Sequence, residues 1–370
     1  MSYFVTGGTG LIGKNLIESL LKRRGVIHVL VRKGSEKKLD ALRKRFGVGD
    51  DRIKGHRGDL TRPNLGLSAH AIQELKGNVR HFFHLAAVYD ITDRDNDRQT
   101  QVNVDGTREA VRLAEALGAG VFHHCSSIAV AGMFRGYWRE DMFEEADRTR
   151  QPYFRTKFEA EAVVRSECGV PYRIYRPGIV VGHSRTGEMD KIDGPYYLFK
   201  FLQLLRNILP PWVPLAGIEG GRINVVPVDY VAAAMDHIAH KRGLNGKCFH
   251  LTSPSPKRVG ELLNIFAKAA NAPQFAMRID ARMLDIVPRP MRDMIANLPP
   301  VERIVDGILK DLGIPREVWT YVNYPTRFDA REAETALEGS GIACPAIEDY
   351  APALWDYWER NLDPDLRRDH

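Results

Sequence analysis

Tyr153 and Lys157 stand four residues apart in YFRTK, a spacing that puts a phenol and an ammonium on one face of a helix. A phenol ordinarily titrates near ~10, so it is a poor acid or base at neutral pH until nearby positive charge favours phenolate. Lys157 could supply that charge. Upstream, CSSIAVAG, Cys125 to Gly132, sets the hydroxyls of Ser126 and Ser127 side by side. An ordinary exposed helix also produces YxxxK pairs, so the chemistry depends on what surrounds this one.

The element that would position a cofactor is FVTGGTGLIGKNL, Phe4 to Leu16, with Gly7, Gly10 and Gly13 in a GxxGxxG spacing. Tyr3 to Thr6 reads as an apolar strand, and Leu11, Ile12, Leu16, Ile17, Leu20 and Leu21 recur at helical spacing through Arg24. A strand, a bare turn and a helix N-terminus together form a pyrophosphate site, because glycines admit the phosphates and unpaired N–H groups point at them. Val26 to Val31 is a second strand, about twenty residues on, where an NAD site usually carries an acid. Arg32 and Lys33 stand there instead. A guanidinium can hold a 2′-phosphate that a carboxylate would repel, so NADP(H) is favoured over NAD.

Further strand-like runs at Ile53 to Arg57, Val79 to Leu85, Val121 to Cys125 and Tyr172 to Tyr175 alternate with helical patterns such as Val104 to Leu117 and Phe154 to Glu167. This alternation predicts an α/β fold, a doubly wound, mostly parallel Rossmann sheet with a smaller, mainly helical C-terminal substrate lobe. Gly58-Asp59-Leu60 and Ala86-Ala87 follow the third and fourth strands, where strand C-termini face the cofactor crevice. Asp59 could accept from the adenine amino group or cap the next helix. The Rossmann domain is expected over residues 1–185 and 222–255, with the lobe built from 186–221 and 256–370.

The 370 residues, 44% hydrophobic, can bury a substantial core. Lys and Arg exceed Asp and Glu by 53 to 47, but the charges are interspersed. Nucleic acid is therefore not expected as a partner. Cys125, Cys168, Cys248 and Cys344 form no CxxC, which fits a reducing compartment and argues against a thiolate zinc site. His81 and His84, like His123 and His124, lie at odd spacing on their strands and would face opposite sides, so neither pair should share a metal. No secretory signal opens the chain, and a cytoplasmic location is expected.

The TGGTGLIG turn, GDL, HLAA, the Asn103-Val104 helix start, SSIAVAG and YFRTK together resemble an extended short-chain dehydrogenase/reductase, from the N-terminus to about residue 250. The resemblance implies Ser127 as the hydroxyl on the carbonyl oxygen, with Ser126 as the fallback, and Tyr153 as acid/base. Lys157 would lower the phenol pKa and hold the ribose, and Asn103 would help carry a proton relay. Cofactor contacts would fall on Gly7, Thr9, Gly10, Leu11, Ile12, Gly13, Arg32, Asp59, Leu60, Ala86 and Lys157. Pro177, Gly178 and Ile179, in RPGIVVG, would pass the nicotinamide carboxamide. No metal is implied.

HLAAVYD, EDMFEEA, RIYRPGIVVGHSRTGEMDKIDGPYY, GIEGGRINVVPVDYV and LWDYWERNLDPDL extend the resemblance to nearly the whole chain. They are similar to the N-terminal half of bacterial fatty acyl-CoA reductases. That similarity implies NADPH-dependent reduction of fatty acyl-CoA, or of the derived fatty aldehyde, toward aldehyde or fatty alcohol. It also implies that a second reductase domain could follow. Gly194 to Pro214 is mostly apolar, with Lys200, Gln203 and Arg206 at helical spacing, and reads as buried core, acyl-pocket wall or a surface for peripheral membrane contact. Met283 to Pro315 is a candidate lid. The alternatives are a hydroxysteroid or dihydroflavonol-type carbonyl reductase on the same fold, and a non-catalytic NADP-sensing regulator, which would have no use for Ser127, Tyr153 and Lys157 together.

Overall fold

Short β-branched and aromatic runs become strands, and the glycine turns between them let helices fold back across the sheet. The computed structural model describes residues 2–88, 96–148, 151–190, 192, 194–280 and 324–367. They divide into two units: Met1–Gly178 with Val228–Thr252 and Thr326–Cys344, and Ile179–Pro227 with Ser253–Pro325 and Pro345–His370.

The first unit contains strands β1 (Ser2–Thr6), β2 (Val26–Val31), β3 (Ile53–Arg57), β4 (Val79–His84), β5 (Val121–Cys125), β6 (Gly136–Trp138), β7 (Tyr172–Pro177), β8 (Cys248–Leu251) and β9 (Thr326–Phe328). Its helices are α1 (Leu11–Leu21), α2 (Glu36–Phe46), α3 (Ala69–Leu75), α4 (Asn96–Thr100), α5 (Gly106–Ala116), α6 (Pro152–Glu167), α7 (Val228–His240) and α8 (Arg331–Leu337). Seven strands form one parallel sheet in the order β8-β7-β5-β4-β1-β2-β3. This is the expected doubly wound Rossmann architecture, and the strand order reverses between β1 and β4, where such sheets bind dinucleotides. Under one face, Phe4, Phe82, Phe122 and Ile174 pack against Ala110, Val111, Leu113 and Val164 from α5 and α6. Each large apolar side chain buried there contributes about 1.5–3 kcal/mol.

Two local features depart from the pattern. The helix expected from Val104 is preceded by α4 and a π-helical turn, Gln101–Asp105. Thr326–Cys344, expected in the lobe, belongs to the first unit, because β9 pairs with β6 and Glu140 accepts backbone N–H bonds from His250 (2.7 Å), Glu332 (2.6 Å) and Ala333 (3.0 Å). Three of the sheet histidines use their rings in internal hydrogen bonds. His81 bonds His123 at 2.9 Å and His123 bonds Tyr175 at 2.9 Å, while on the other face His84 bridges Thr6 (2.9 Å) and Thr107 (3.1 Å).

The second unit is built on the helices Phe199–Ile208, Val259–Ala269 and Ile347–Asn361, with short two-stranded pairings. Phe199 packs among Phe266, Trp355 and Trp358. Lys200 pairs with Asp363 at 2.9 Å, and Arg206 with Glu359 at 2.5 Å. Gly194 to Pro214 is thus part core and part surface: Phe199 and Leu202 are buried, Phe201 and Leu205 half-buried, and Leu204, Ile208 and Trp212 exposed. No helix among the described residues is long and apolar enough to cross a membrane. The lid candidate, Met283 to Pro315, lies outside the described residues.

Candidate active site

The turn after β1 is shaped by contacts that a side chain would obstruct. Gly7 has φ +71° and lies so close to the chain after β4 that a Cβ would sit 2.8 Å from the Ala86 nitrogen. At Gly13 a Cβ would sit 2.1 Å from the Gly7 carbonyl oxygen. Glycine at both positions lets α1 approach the turn directly. Gly10 is the N-cap of α1, no side chain caps that helix, and its first turn carries no acid. An uncapped helix start beside a bare turn fits a pyrophosphate. Thr9, Leu11 and Ile12 are half-buried around it.

The strand ends flank this turn. Arg32 and Lys33 are exposed just beyond β2, and Arg32 Nε donates to Ser35 Oγ at 3.3 Å. Arg57, which the sequence reading missed, is exposed at the end of β3 and in register with Val31, so it adds a third cation to this edge. The only signal for it was position at a strand terminus. Asp59 Oδ1 accepts from the Thr61 backbone N–H (3.0 Å) and hydroxyl (2.8 Å). Those bonds hold its carboxyl below the usual range and close a local turn; the 3₁₀ turn that follows, Pro63–Gly66, starts at Arg62 and has no side-chain cap. Leu60 and Ala86 are half-buried, and the Ala86 N–H donates to Thr6 Oγ1 at 3.3 Å.

Helix α6 is started by Gln151, whose Oε1 accepts from the Phe154 N–H at 2.9 Å, and by Pro152 in its first turn. It packs on the 3₁₀ turn Ile128–Ala131 that follows the two serines. Gly132 secures the same junction with φ +61°: a Cβ there would lie 1.8 Å from the Asp147 oxygen, and no other residue fits the approach. Tyr153 and Lys157 are both buried, and Lys157 Nζ reaches the Cys125 carbonyl at 3.5 Å. Burial pushes the Lys157 pKa down, while Cys125 and Glu161 act to raise it. Cys125 is itself buried within β5, with its thiol pKa raised by that burial.

The two serines differ in environment. Ser126 is 2% exposed and its hydroxyl donates to Glu161 Oε2 at 2.7 Å. Ser127 is half-buried; its Oγ accepts the Ala129 N–H at 3.2 Å and retains its own proton to donate. Asn103 is buried, with Oδ1 accepting the Val88 N–H (2.8 Å) and Nδ2 donating to the Val88 carbonyl (3.0 Å) and Thr156 Oγ1 (3.3 Å). Its amide therefore fastens the chain beyond β4 to α6. Pro177 ends β7, and the Gly178 N–H just beyond it donates to the Leu251 carbonyl at 3.1 Å; Ile179 begins the second unit.

Residues 5–235 match the Male sterility protein family of NAD-binding domains. The chain belongs to the Male sterility protein family. Within that frame it is 28% identical over 379 aligned positions to the nonribosomal peptide synthetase FrzA of a Cladobotryum species, which covers 93% of this chain and 35% of FrzA. It is 26% identical to the aldehyde reductase lnaA of Aspergillus flavus, over 93% of this chain and 34% of that protein. The chain thus spans about a third of the length of these relatives. Among solved structures it resembles the terminal R domain from the myxalamid PKS-NRPS biosynthetic pathway, with TM-score 0.74, 25% identity, and coverage of 98% of this chain and 92% of that one. A Male sterility family member is an NAD(P)-dependent reductase of the extended short-chain type, which agrees with the glycine turn and the parallel sheet.

Proposed function

We propose that the protein uses NADPH to reduce an acyl thioester to the aldehyde, and the aldehyde in turn to the alcohol. The observation that carries this reading is the junction of α6 with the serine turn. It packs α6, which carries the buried Tyr153 and Lys157, against the 3₁₀ turn that follows Ser127, while the Ser126 hydroxyl is taken by Glu161. Bound NADPH would supply the hydride to the carbonyl carbon. The Ser127 hydroxyl and the Tyr153 phenol donate to the oxygen as negative charge develops there, and Tyr153 delivers the proton. Lys157 supplies the positive charge that favours phenolate between turnovers. With a thioester, the resulting hemithioacetal breaks its C–S bond to release aldehyde and thiol. Asn103 braces α6 through its bond to Thr156, and a proton relay through Asn103 is part of this proposal. Arg32, Lys33 and Arg57 favour the 2′-phosphate of NADPH.

The acyl carrier is a phosphopantetheine thiol, the group shared by coenzyme A and carrier domains. Similarity to a peptide synthetase supports this, and similarity to an aldehyde reductase supports the second step. A fatty acyl group agrees with the earlier resemblance and with the apolar helix Phe199–Ile208. Purified protein incubated with NADPH and either dodecanoyl-CoA or dodecanal tests the proposal. Thiol release with aldehyde or alcohol formation supports thioester reduction. Turnover of the aldehyde alone restricts the protein to the second step, and turnover of neither refutes the reading.

A further inference from the structure

Beneath the proposed site lies a closed polar network that the chemistry above does not use. Glu161 sits one helical turn beyond Lys157 on α6 and is fully buried. Its Oε2 accepts from Ser126 Oγ (2.7 Å) and Arg176 Nε (3.0 Å). Its Oε1 accepts from Arg176 Nη2 (2.6 Å) and Arg165 Nε (2.9 Å). Arg176, also fully buried, donates from Nη2 to the Met142 carbonyl (3.0 Å) and from Nη1 to His250 Nε2 (3.2 Å). His250 Nδ1 then bonds the Asp329 carbonyl at 2.6 Å. Each Glu161 oxygen accepts two donors, the condition under which a buried carboxylate stays ionised in a low-dielectric interior.

Three members of the network adjoin segments of the proposed site. Ser126 precedes Ser127. Glu161 shares α6 with Tyr153 and Lys157. Arg176 is followed by Pro177 and Gly178, the segment proposed to pass the nicotinamide. Three chain segments from β5, α6 and β7 thus meet at one carboxylate, which has two oxygens and no rotational freedom left among four donors.

We propose that Glu161 is a positioning residue, whose bonds to Ser126 and Arg176 hold the Ser127 hydroxyl, the Tyr153 phenol and the Pro177-Gly178 segment in register. The proposal rests on the Ser127, Tyr153 and Lys157 reading. Ser126→Ala tests it without breaking the ion pair, since it removes only the link between the carboxylate and the serine turn. A buried link of this kind controls placement by fractions of an ångström, and misplacement of that order lowers kcat between about tenfold and a hundredfold. The assay is dodecanal reduction by NADPH, with Tm and NADPH Kd measured on the same preparations, and with Ser127→Ala in parallel.

The expected result is a lowered kcat for Ser126→Ala with KM, NADPH Kd and Tm close to those of the parent, and near-complete loss for Ser127→Ala. An unchanged kcat for Ser126→Ala, with Ser127→Ala inactive, overturns the positioning role and leaves the site reading intact. A fall in Tm that accounts for the lost activity, with NADPH Kd weakened in step, also overturns it, because the network would then be structural alone. An inactive Ser126→Ala with an active Ser127→Ala overturns the site reading itself and the proposal with it.

Discussion

Acid should unfold this protein earlier than its carboxylates alone would. His81, His84, His123, His124 and His250 are all buried in or beside the sheet. Burial pushes His81, His124 and His250 down to about 3, and His84 and His123 well below the ordinary imidazole value. Each is neutral in the fold but protonates near ~6.5 once unfolded. A depressed imidazole pKa means that the stability is complete above that unfolded value and falls as pH drops below it, by about 1.4 kcal/mol per pH unit and residue. At pH 5 the loss is roughly 2 kcal/mol for each histidine, or about 10 kcal/mol for five. Glu140 works in the opposite direction: burial pushes its pKa up to about 7, against its three N–H donors. Its protonation on acidification recovers about 3 kcal/mol. The net loss of about 7 kcal/mol compares with a total stability of about 5–15 kcal/mol for an ordinary protein. Urea unfolding followed by tryptophan fluorescence at pH 7.5, 6.5, 5.5 and 5.0 measures it directly. His124→Phe provides the internal control. Neither His124 ring nitrogen has a hydrogen-bond partner, so the change removes one titration without breaking a bond. It should flatten the dependence by about 1.4 kcal/mol per pH unit. Stability constant to within about 2 kcal/mol between pH 7 and 5 would refute the reasoning. One practical consequence is that activity lost below about pH 5.5 reports unfolding rather than the acid/base chemistry of Tyr153.

Three further outcomes follow from the geometry. Arg32→Asp places an acid where the 2′-phosphate is proposed, so NADPH Kd should rise far more than NADH Kd; equal losses would remove Arg32 from cofactor choice. Gly13→Ala puts a Cβ 2.1 Å from the Gly7 oxygen, so α1 must retreat. The expected cost is about 1–3 kcal/mol in stability with weakened binding of both cofactors, read by Tm and fluorescence titration. If the helix Phe199–Ile208 holds the acyl tail, kcat/KM should climb with chain length by up to about 0.8 kcal/mol per methylene. Phe201→Glu, at a half-buried ring 6.4 Å from Phe275, should then flatten that profile; an unchanged profile in the folded variant places the tail elsewhere.

The parts of the molecule legible from sequence are those with a local code. β2, β3 and β5 coincide with their strand-like runs, and the glycine turn was readable because strand, turn and helix are contiguous. The resemblance favours Ser127 over Ser126, but no local pattern assigns the two hydroxyls different partners. What distinguishes them is a bond from Ser126 to Glu161 and an ion pair from Glu161 to Arg176, partners remote in sequence that only the folded sheet brings together. A faint signal existed, since Glu161 falls on the stripe of α6 that also carries Lys157 and the buried Val164. A carboxylate on a buried stripe must find a cation. The return of Thr326–Cys344 to the first unit was equally hidden, because it depends on Glu140 accepting three backbone N–H groups from two distant segments.

The central claim is that Tyr153 protonates the oxygen of a carbonyl whose carbon receives hydride from NADPH. It is tested most directly by single-turnover transfer from NADPH deuterated at the reactive C4 position to dodecanal, comparing the parent protein with Tyr153→Phe and analysing the alcohol by mass spectrometry. The account predicts deuterium at C1 of the alcohol for the parent. For Tyr153→Phe it predicts NADPH binding close to normal, with transfer slowed by about 10²–10⁴-fold. Deuterium absent from C1, or transfer by Tyr153→Phe at nearly the parental rate, would contradict it.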